Sequence, residues 1–178
     1  VLVYVDDLVL GAAKQIDMEW IKAALTKAFE MTDLHKLMIF LSLEITRDGS
    51  PQQLAIHKRR NIEQILERHG MNNACPISTP LEPHTRLPAR TQTDGEDNQI
   101  KEVSIEAYQS AVGSILYTML GTCLDIAYTV ALVSQFNHAP QWEHWIAIKR
   151  VFRYLGATRD LGLRYGASNI SGGYSNAD

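Results

Sequence analysis

Only two cysteines, Cys75 and Cys123, occur in the 178 residues. They stand far apart and at no close metal-ligand spacing, so no disulfide framework is expected and a reducing, intracellular location is the default. Long apolar runs are also missing: none approaches the roughly 18 residues of a membrane-spanning helix, and no basic stretch of a signal peptide opens the chain. Charge of one sign is lacking too, with 17 Lys and Arg against 20 Asp and Glu and a formal net charge of -3. That balance gives no global reason for nucleic-acid binding, although a local basic face stays open. What is present is a globular composition, 46% hydrophobic, with length for one domain or two small ones. The chain starts at Val1 rather than Met, inside an apolar run, and its last residues look like the beginning of another element. A segment of a longer protein is the expectation.

The opening reads VLVYVDDLVLG, with Asp6 and Asp7 as the polar break between two strand-like runs, and predicts a β-hairpin. From about Lys14 to Phe29, Ile21, Ala24, Leu25, Ala28 and Phe29 follow helical spacing and predict a helix with one buried face. Ile39, Leu41, Leu43 and Ile45 then alternate, and Asp48-Gly49 offers a turn into PQQLAIH, predicting two antiparallel strands. Arg59 to His69 is helical by the spacing of Ile62, Ile65 and Leu66, and ends at Gly70, which can take a left-handed cap.

Between Cys75 and Ser104 lie four prolines, Pro76, Pro80, Pro83 and Pro88, and the polar tract ARTQTDGEDNQIKE, the best linker in the chain. Beyond it, Tyr108, Ala111, Val112, Ile115, Leu116 and Met119 form one helical stripe, and Ile126, Val130, Val133 and Phe136 a second. Thr122 and Asp125 have the spacing of a capping box for that second helix. Trp145, Ile148, Phe152 and Leu155 form a third stripe after Pro140, and LGLRYG reads as a strand. The fold class is therefore α+β, with strands and a packed helix first and a mainly helical assembly after the linker.

Adjacent residues on a regular strand face opposite sides, so Asp6 and Asp7 can address one site only where a turn redirects them. Two carboxylates held together repel unless a cation neutralises them, and magnesium suits an all-oxygen site of carboxylates, waters and phosphates. Such a site fits nucleotidyl transfer. Aspartate is equally ordinary at an exposed turn, where it bonds locally, and spacing alone does not decide between the two.

An ordered series of motifs carries a resemblance across almost the whole chain: YVDD at 4–7, FEMTDL at 29–34, FLSLEI at 40–45, STPL at 78–81, AVGSILY at 111–117, DIAYTV at 125–130, HWIAIKRVFRYL at 144–155 and LGLRY at 161–165. The chain resembles the reverse transcriptases of copia-type LTR retrotransposons. The resemblance implies the C-terminal part of a polymerase palm at 1–58, the start of a thumb at 59–82, a polar linker at 83–105, a helical thumb and connection region at 106–165, and the first strand of a truncated ribonuclease H domain at 170–178.

Carried over by position, Asp6 and Asp7 match two of the three palm aspartates that bind Mg2+ (or Mn2+), the third expected before Val1 together with the fingers. Tyr4 and Val5 match residues that set the hairpin against the primer terminus, and Lys58, Arg59 and Arg60 could meet phosphates of primer or template. His144, Lys149, Arg150 and Arg153 give the last helix a basic side, for support along the duplex or simply for water, with Trp142 and Trp145 in packing roles. The implied partners are an RNA or DNA template with DNA primer, deoxynucleoside triphosphates, and the remaining regions of the same polyprotein, with no membrane. The implied location is the cytoplasm, within retrotransposon particles if the parent element is active.

This chain departs from the family at three places. Ser42 replaces a usual glycine, Cys123 and Leu124 stand for an arginine-proline pair, and Asn176 stands where the nuclease has its first metal-binding acid, with Asp178 matching the second acidic residue. The reading is thus a portion of an RNA-directed DNA polymerase, inactive in isolation. Its alternative is a degenerate or domesticated remnant that binds nucleic acid or protein without catalysis.

Overall fold

In the computed structural model, which describes residues 1–47, 53–88 and 103–166, the chain is α+β and divides into two units between Phe40 and Leu41. The elements are β1 (Leu2–Tyr4), β2 (Asp7–Val9), α1 (Gln15–Ala28), β3 (Ile39–Phe40), β4 (Leu43–Thr46), β5 (Leu54–His57), α2 (Arg59–Arg68), α3 (Ile105–Gly121), a 3-10 turn (Leu124–Ile126), α4 (Ala127–Ser134), α5 (Trp142–Thr158) and β6 (Gly162–Tyr165). Among the described residues no helix is long and apolar enough to cross a membrane.

In the first unit, β1 and β2 pair antiparallel with Leu2 opposite Val9 and Tyr4 opposite Asp7, which is the predicted hairpin. The Tyr4 ring meets Phe40 edge to face at 6.4 Å. Helix α1 forms as its spacing predicts, but it buries no residue. Met18, Ile21 and Leu25 are half-buried on one face, whereas Ala24, Ala28 and Phe29, expected inside, are exposed. The physical reason is size: a unit of about 40 residues has too little apolar surface for a core of its own. An ion pair from Lys22 to Asp33 at 2.8 Å, with Asp33 also accepting the backbone N–H of His35, holds the loop that follows α1 to the helix.

The second unit pairs β4, β5 and β6 antiparallel, with Ile45 opposite Ile56 and Ile56 opposite Leu163. The alternation expected from Ile39 to Ile45 is interrupted. Leu41 and Ser42 both take left-handed backbone, φ 50° and 61°, so the strand begins at Leu43. The turn expected at Asp48-Gly49 lies outside the described residues.

The core gathers one face from each of four helices. Ile62, Ile65 and Leu66 come from α2, Tyr108, Ala111, Val112 and Ile115 from α3, Val130 and Val133 from α4, and Ile148, Val151, Phe152 and Leu155 from α5, with Ile126 between. The Tyr108 hydroxyl donates to the Val133 carbonyl at 2.8 Å, and burial pushes this phenol up to about 12, so it stays a donor. Leu116, expected in the α3 stripe, is 40% exposed, and Thr118 takes the buried place, its hydroxyl 3.0 Å from Ser114 O and 3.2 Å from Asn61 Oδ1. A threonine escapes a search for apolar periodicity because its hydroxyl hides a side chain that packs well once bonded.

Caps differ from expectation in the same instructive way. Thr122 and Asp125 make no capping box. Cys123 precedes a 3-10 turn there with no side-chain cap, the Thr122 hydroxyl lies beside the Cys123 thiol, and Asp125 accepts from the Tyr154 hydroxyl. Helix α5 carries the box instead, between Gln141 and His144. His144 Nδ1 accepts the backbone N–H of Gln141 at 2.9 Å, so the proton sits on Nε2, which donates to Pro88 O at 3.0 Å.

The start of the expected linker is tied down. Ile77, Leu81 and Leu87 pack on the core, Arg150 reaches Glu82 at 2.6 Å and Thr79 at 2.9 Å, and Arg153 donates to Cys75 O at 2.7 Å. The tract 89–102 and the expected ribonuclease H strand at 170–178, with Asn176 and Asp178, lie outside the described residues.

Candidate metal and nucleic-acid sites

The hairpin that carries the aspartate pair closes with a two-residue loop, Val5 and Asp6, between paired Tyr4 and Asp7. Val5 takes φ 49°, the left-handed region that a β-branched residue avoids at a cost of about 1–2 kcal/mol. Positive φ at the first loop position matches the right-handed twist of hairpin strands, which explains the turn but not the choice of valine. Residues 1–7 are all exposed, Val5 at 81%. Asp6 therefore stands in the loop and Asp7 opens β2, and neither carboxylate has an ion-pair or hydrogen-bond partner among the described residues.

Two unpartnered carboxylates next to each other suit a hard divalent cation in kind, since such ions take oxygen donors and neutralise neighbouring anions. In number the set is short: among the described residues no group of three or more His, Cys, Asp or Glu converges. Asp6 and Asp7 fit as part of a metal site.

The three basic residues at the start of α2 are differently placed. Lys58 is 2% exposed, its Nζ donates to Tyr117 O at 2.6 Å and lies 3.6 Å from the centre of the Tyr117 ring. Burial lowers its proton affinity. Its charge is spent on the Tyr117 carbonyl, toward the C-terminal, negative end of the α3 dipole. Arg59 pairs with Glu63 at 3.1 Å and Asp160 at 2.9 Å. Arg60 lies 3.5 Å from Glu44 Oε2, and Glu44 Oε1 accepts the Arg60 backbone N–H at 2.8 Å, placing a carboxylate on the first turn of α2. The anion expected from a nucleic acid at this helix end is already supplied by the protein.

On α5 the basic side is likewise engaged. Lys149 sits over Trp142 at 5.0 Å and Trp145 at 5.9 Å, while Arg150 and Arg153 hold residues 75–82. Lys149 and its two indoles form a cation–π cluster rather than a phosphate track.

The residue that sequence reading passed over is Arg68, at the other end of α2. It is exposed, has no ion-pair or hydrogen-bond partner among the described residues, and lines an open groove of about 340 Å³ between α2 and α3. Its spacing from Asn61 and Gln64, on the same helix face, was the available signal.

The family model described as "Reverse transcriptase (RNA-dependent DNA polymerase)" matches residues 1–83. The chain is 38% identical, over 99% of its length, to the "Retrovirus-related Pol polyprotein from transposon TNT 1-94" of Nicotiana tabacum, and covers 13% of that protein. It is 34% identical over 99% of its length to the Pol polyprotein from transposon RE2 of Arabidopsis thaliana, covering 12% of it. A putative transposon Ty5-1 protein of Saccharomyces cerevisiae is 32% identical over 93% of this chain, which covers 51% of that protein. The chain thus spans only a small part of the Pol polyproteins it matches. No solved structure matches. Residues 1–83 thus match the reverse transcriptase family model, and nearly the whole chain is similar to a segment of the Pol polyproteins of copia-type retrotransposons.

Proposed function

We propose that this chain is the portion of an RNA-directed DNA polymerase that presents two of its metal-binding aspartates, Asp6 and Asp7, and that it does not polymerise alone. The single observation behind this reading is the exposed, partnerless carboxylate pair at a strained hairpin tip in a chain whose residues 1–83 match this family. In this reading residues 1–58 are palm, 59–82 begin the thumb, and 106–165 are thumb and connection.

Asp6 and Asp7 hold the divalent ions, Mg2+ or Mn2+, and Tyr4 and Val5 seat the hairpin against the primer terminus. When bound, the ions neutralise the charge that builds on the phosphate during attack by the primer 3′-hydroxyl and release of pyrophosphate. Arg59 and Arg60 reach phosphates only by exchanging Glu63, Asp160 and Glu44 for them. Lys58 stays structural.

The test is primer extension by the complete polymerase carrying Asp6→Asn and Asp7→Asn. Incorporation is expected to fall to background, and the isolated chain to incorporate nothing. Unchanged incorporation by the double variant overturns the assignment and leaves the non-catalytic remnant as the reading.

A further inference from the structure

We propose that Thr79 is a phosphorylation site, filled by a protein kinase that requires proline after its acceptor, and that Arg150 on α5 receives the phosphate. The inference is independent of the metal reading at Asp6 and Asp7. Thr79 is exposed and stands before Pro80 in the run Ser78-Thr79-Pro80-Leu81. Residues 71–88 form neither helix nor strand, and proline disfavours helical backbone at the residue before it, so the chain entering Pro80 is extended. An exposed, extended segment is the form in which a second protein reads a peptide. The other Ser/Thr-Pro pair of the sequence, Ser50-Pro51, lies outside the described residues.

The receptor is already built. Arg150 Nη1 donates to Glu82 Oε1 at 2.6 Å, and Nη2 donates to the Thr79 hydroxyl oxygen at 2.9 Å. Its third nitrogen, Nε, is buried and has no hydrogen-bond partner among the described residues. Nε and Nη2 form one edge of the planar guanidinium, and such an edge takes two oxygens of a phosphate or carboxylate. Thr79 occupies one of those two places with a single neutral oxygen. A phosphate on that oxygen supplies the second acceptor and the charge. Ile77 and Leu81, two residues to either side, pack on the core and hold Thr79 at α5. Arg153, three residues further along α5, donates to Cys75 O and adds a second cation on this face.

In the transfer the Thr79 Oγ1 attacks the γ-phosphorus of ATP held by the kinase. The new O–P bond forms as the bond to the ADP oxygen breaks, the hydroxyl proton passes to a carboxylate of the kinase, and ADP leaves. The phosphate carries a charge of about −1.5 to −2 and three acceptor oxygens, so it replaces a neutral contact on Arg150 with a charge-assisted, two-point one. Glu82, whose side chain is 67% exposed, yields to water where the two anions compete. Phosphorylation therefore fastens the proline-rich segment to α5.

The test incubates the 178-residue chain with a mitogen-activated protein kinase and ATP and locates phosphate by mass spectrometry. Phosphate is expected on the peptide that holds Thr79, is expected to vanish from it in Thr79→Ala, and to remain in Ser78→Ala. A peptide that stays unphosphorylated in the folded parent, or keeps its phosphate in Thr79→Ala, overturns the acceptor assignment. In 31P spectra of the phosphorylated chain, the second ionisation of the phosphate is expected at least about half a unit below its usual value of about 6. It is expected to return to that value in Arg150→Gln and to fall between in Arg150→Lys, which keeps the charge and loses the fork. Equal ionisation in the parent and Arg150→Gln overturns the role of Arg150. Protease cleavage within residues 75–88 is expected to slow about threefold on phosphorylation of the parent and not of Arg150→Gln, and cleavage that fails to slow in the parent contradicts the fastening.

Discussion

The ammonium of Lys58 lies 3.6 Å from the centre of the Tyr117 ring while donating to the carbonyl oxygen of the same residue at 2.6 Å. One side chain thus joins the start of α2 to the end of α3. The contact needs room beside it, because a Cβ on Gly121 would fall on the Lys58 side chain. Lys58→Ala is expected to cost about 2–3 kcal/mol through lost packing and the lost bond to the Tyr117 carbonyl, and Lys58→Met less, since it keeps the stem. Gly121→Ala is expected to cost about 1–3 kcal/mol by displacing the lysine. Urea denaturation of the three variants measures each.

Ser42 takes φ 61° directly after Leu41 at φ 50°. Left-handed backbone is strained for serine and free for glycine, so Ser42→Gly is expected to stabilise the chain by about 0.5–1 kcal/mol, net of the larger chain entropy that glycine gives the unfolded state. A thermal midpoint that falls on this substitution contradicts the strain argument.

His144 is fully buried and stacked on Phe136 at 3.7 Å, with Nδ1 accepting from Gln141 and Nε2 donating to Pro88. Burial holds its proton affinity below the ordinary 6.5. The folded state therefore resists a proton that the unfolded chain accepts. Stability is full above about pH 6.5 and falls as pH drops from there toward the lower folded value. His69, stacked on Phe152 and lowered by burial and by Arg68, acts in the same sense. Urea midpoints across pH 7.5 to 5 are expected to decline in the parent, and to decline less steeply in His144→Gln.

Arg150 holds both Glu82 and Thr79, so it fastens the proline-rich segment to α5. Arg150→Ala is expected to speed protease cleavage within residues 75–88 while lowering global stability by only about 1 kcal/mol, because the Glu82 side of the pair is largely exposed. Unchanged cleavage means that Ile77, Leu81 and Leu87 hold the segment without it.

The elements most legible in the sequence are those whose stability is local or periodic. The Asp6-Asp7 hairpin, the cap at Gly70 with φ 64°, and the stripe Ile62, Ile65 and Leu66 stand where the pattern puts them. What periodicity could not reveal depends on tertiary partners. Nothing local marks Lys58 as buried, because its partner Tyr117 lies 59 residues away. The same holds for Asp125, drawn from a cap to Tyr154, and for Arg150, drawn from a presumed duplex face to Glu82. Of the candidate site, the place of Asp6 and Asp7 at a hairpin turn was legible from turn chemistry.

The most direct test of the central claim, that the Asp6-Asp7 hairpin tip is the metal-bearing end of this chain, is paramagnetic broadening of amide signals as Mn2+ is titrated into the isotopically labelled protein. With two carboxylates as ligands, broadening is predicted on the order of millimolar Mn2+, first at Val5, Asp6 and Asp7, and is predicted to vanish there in the Asp6→Asn, Asp7→Asn variant. Broadening that begins elsewhere, or that persists at the tip in that variant, would contradict the account.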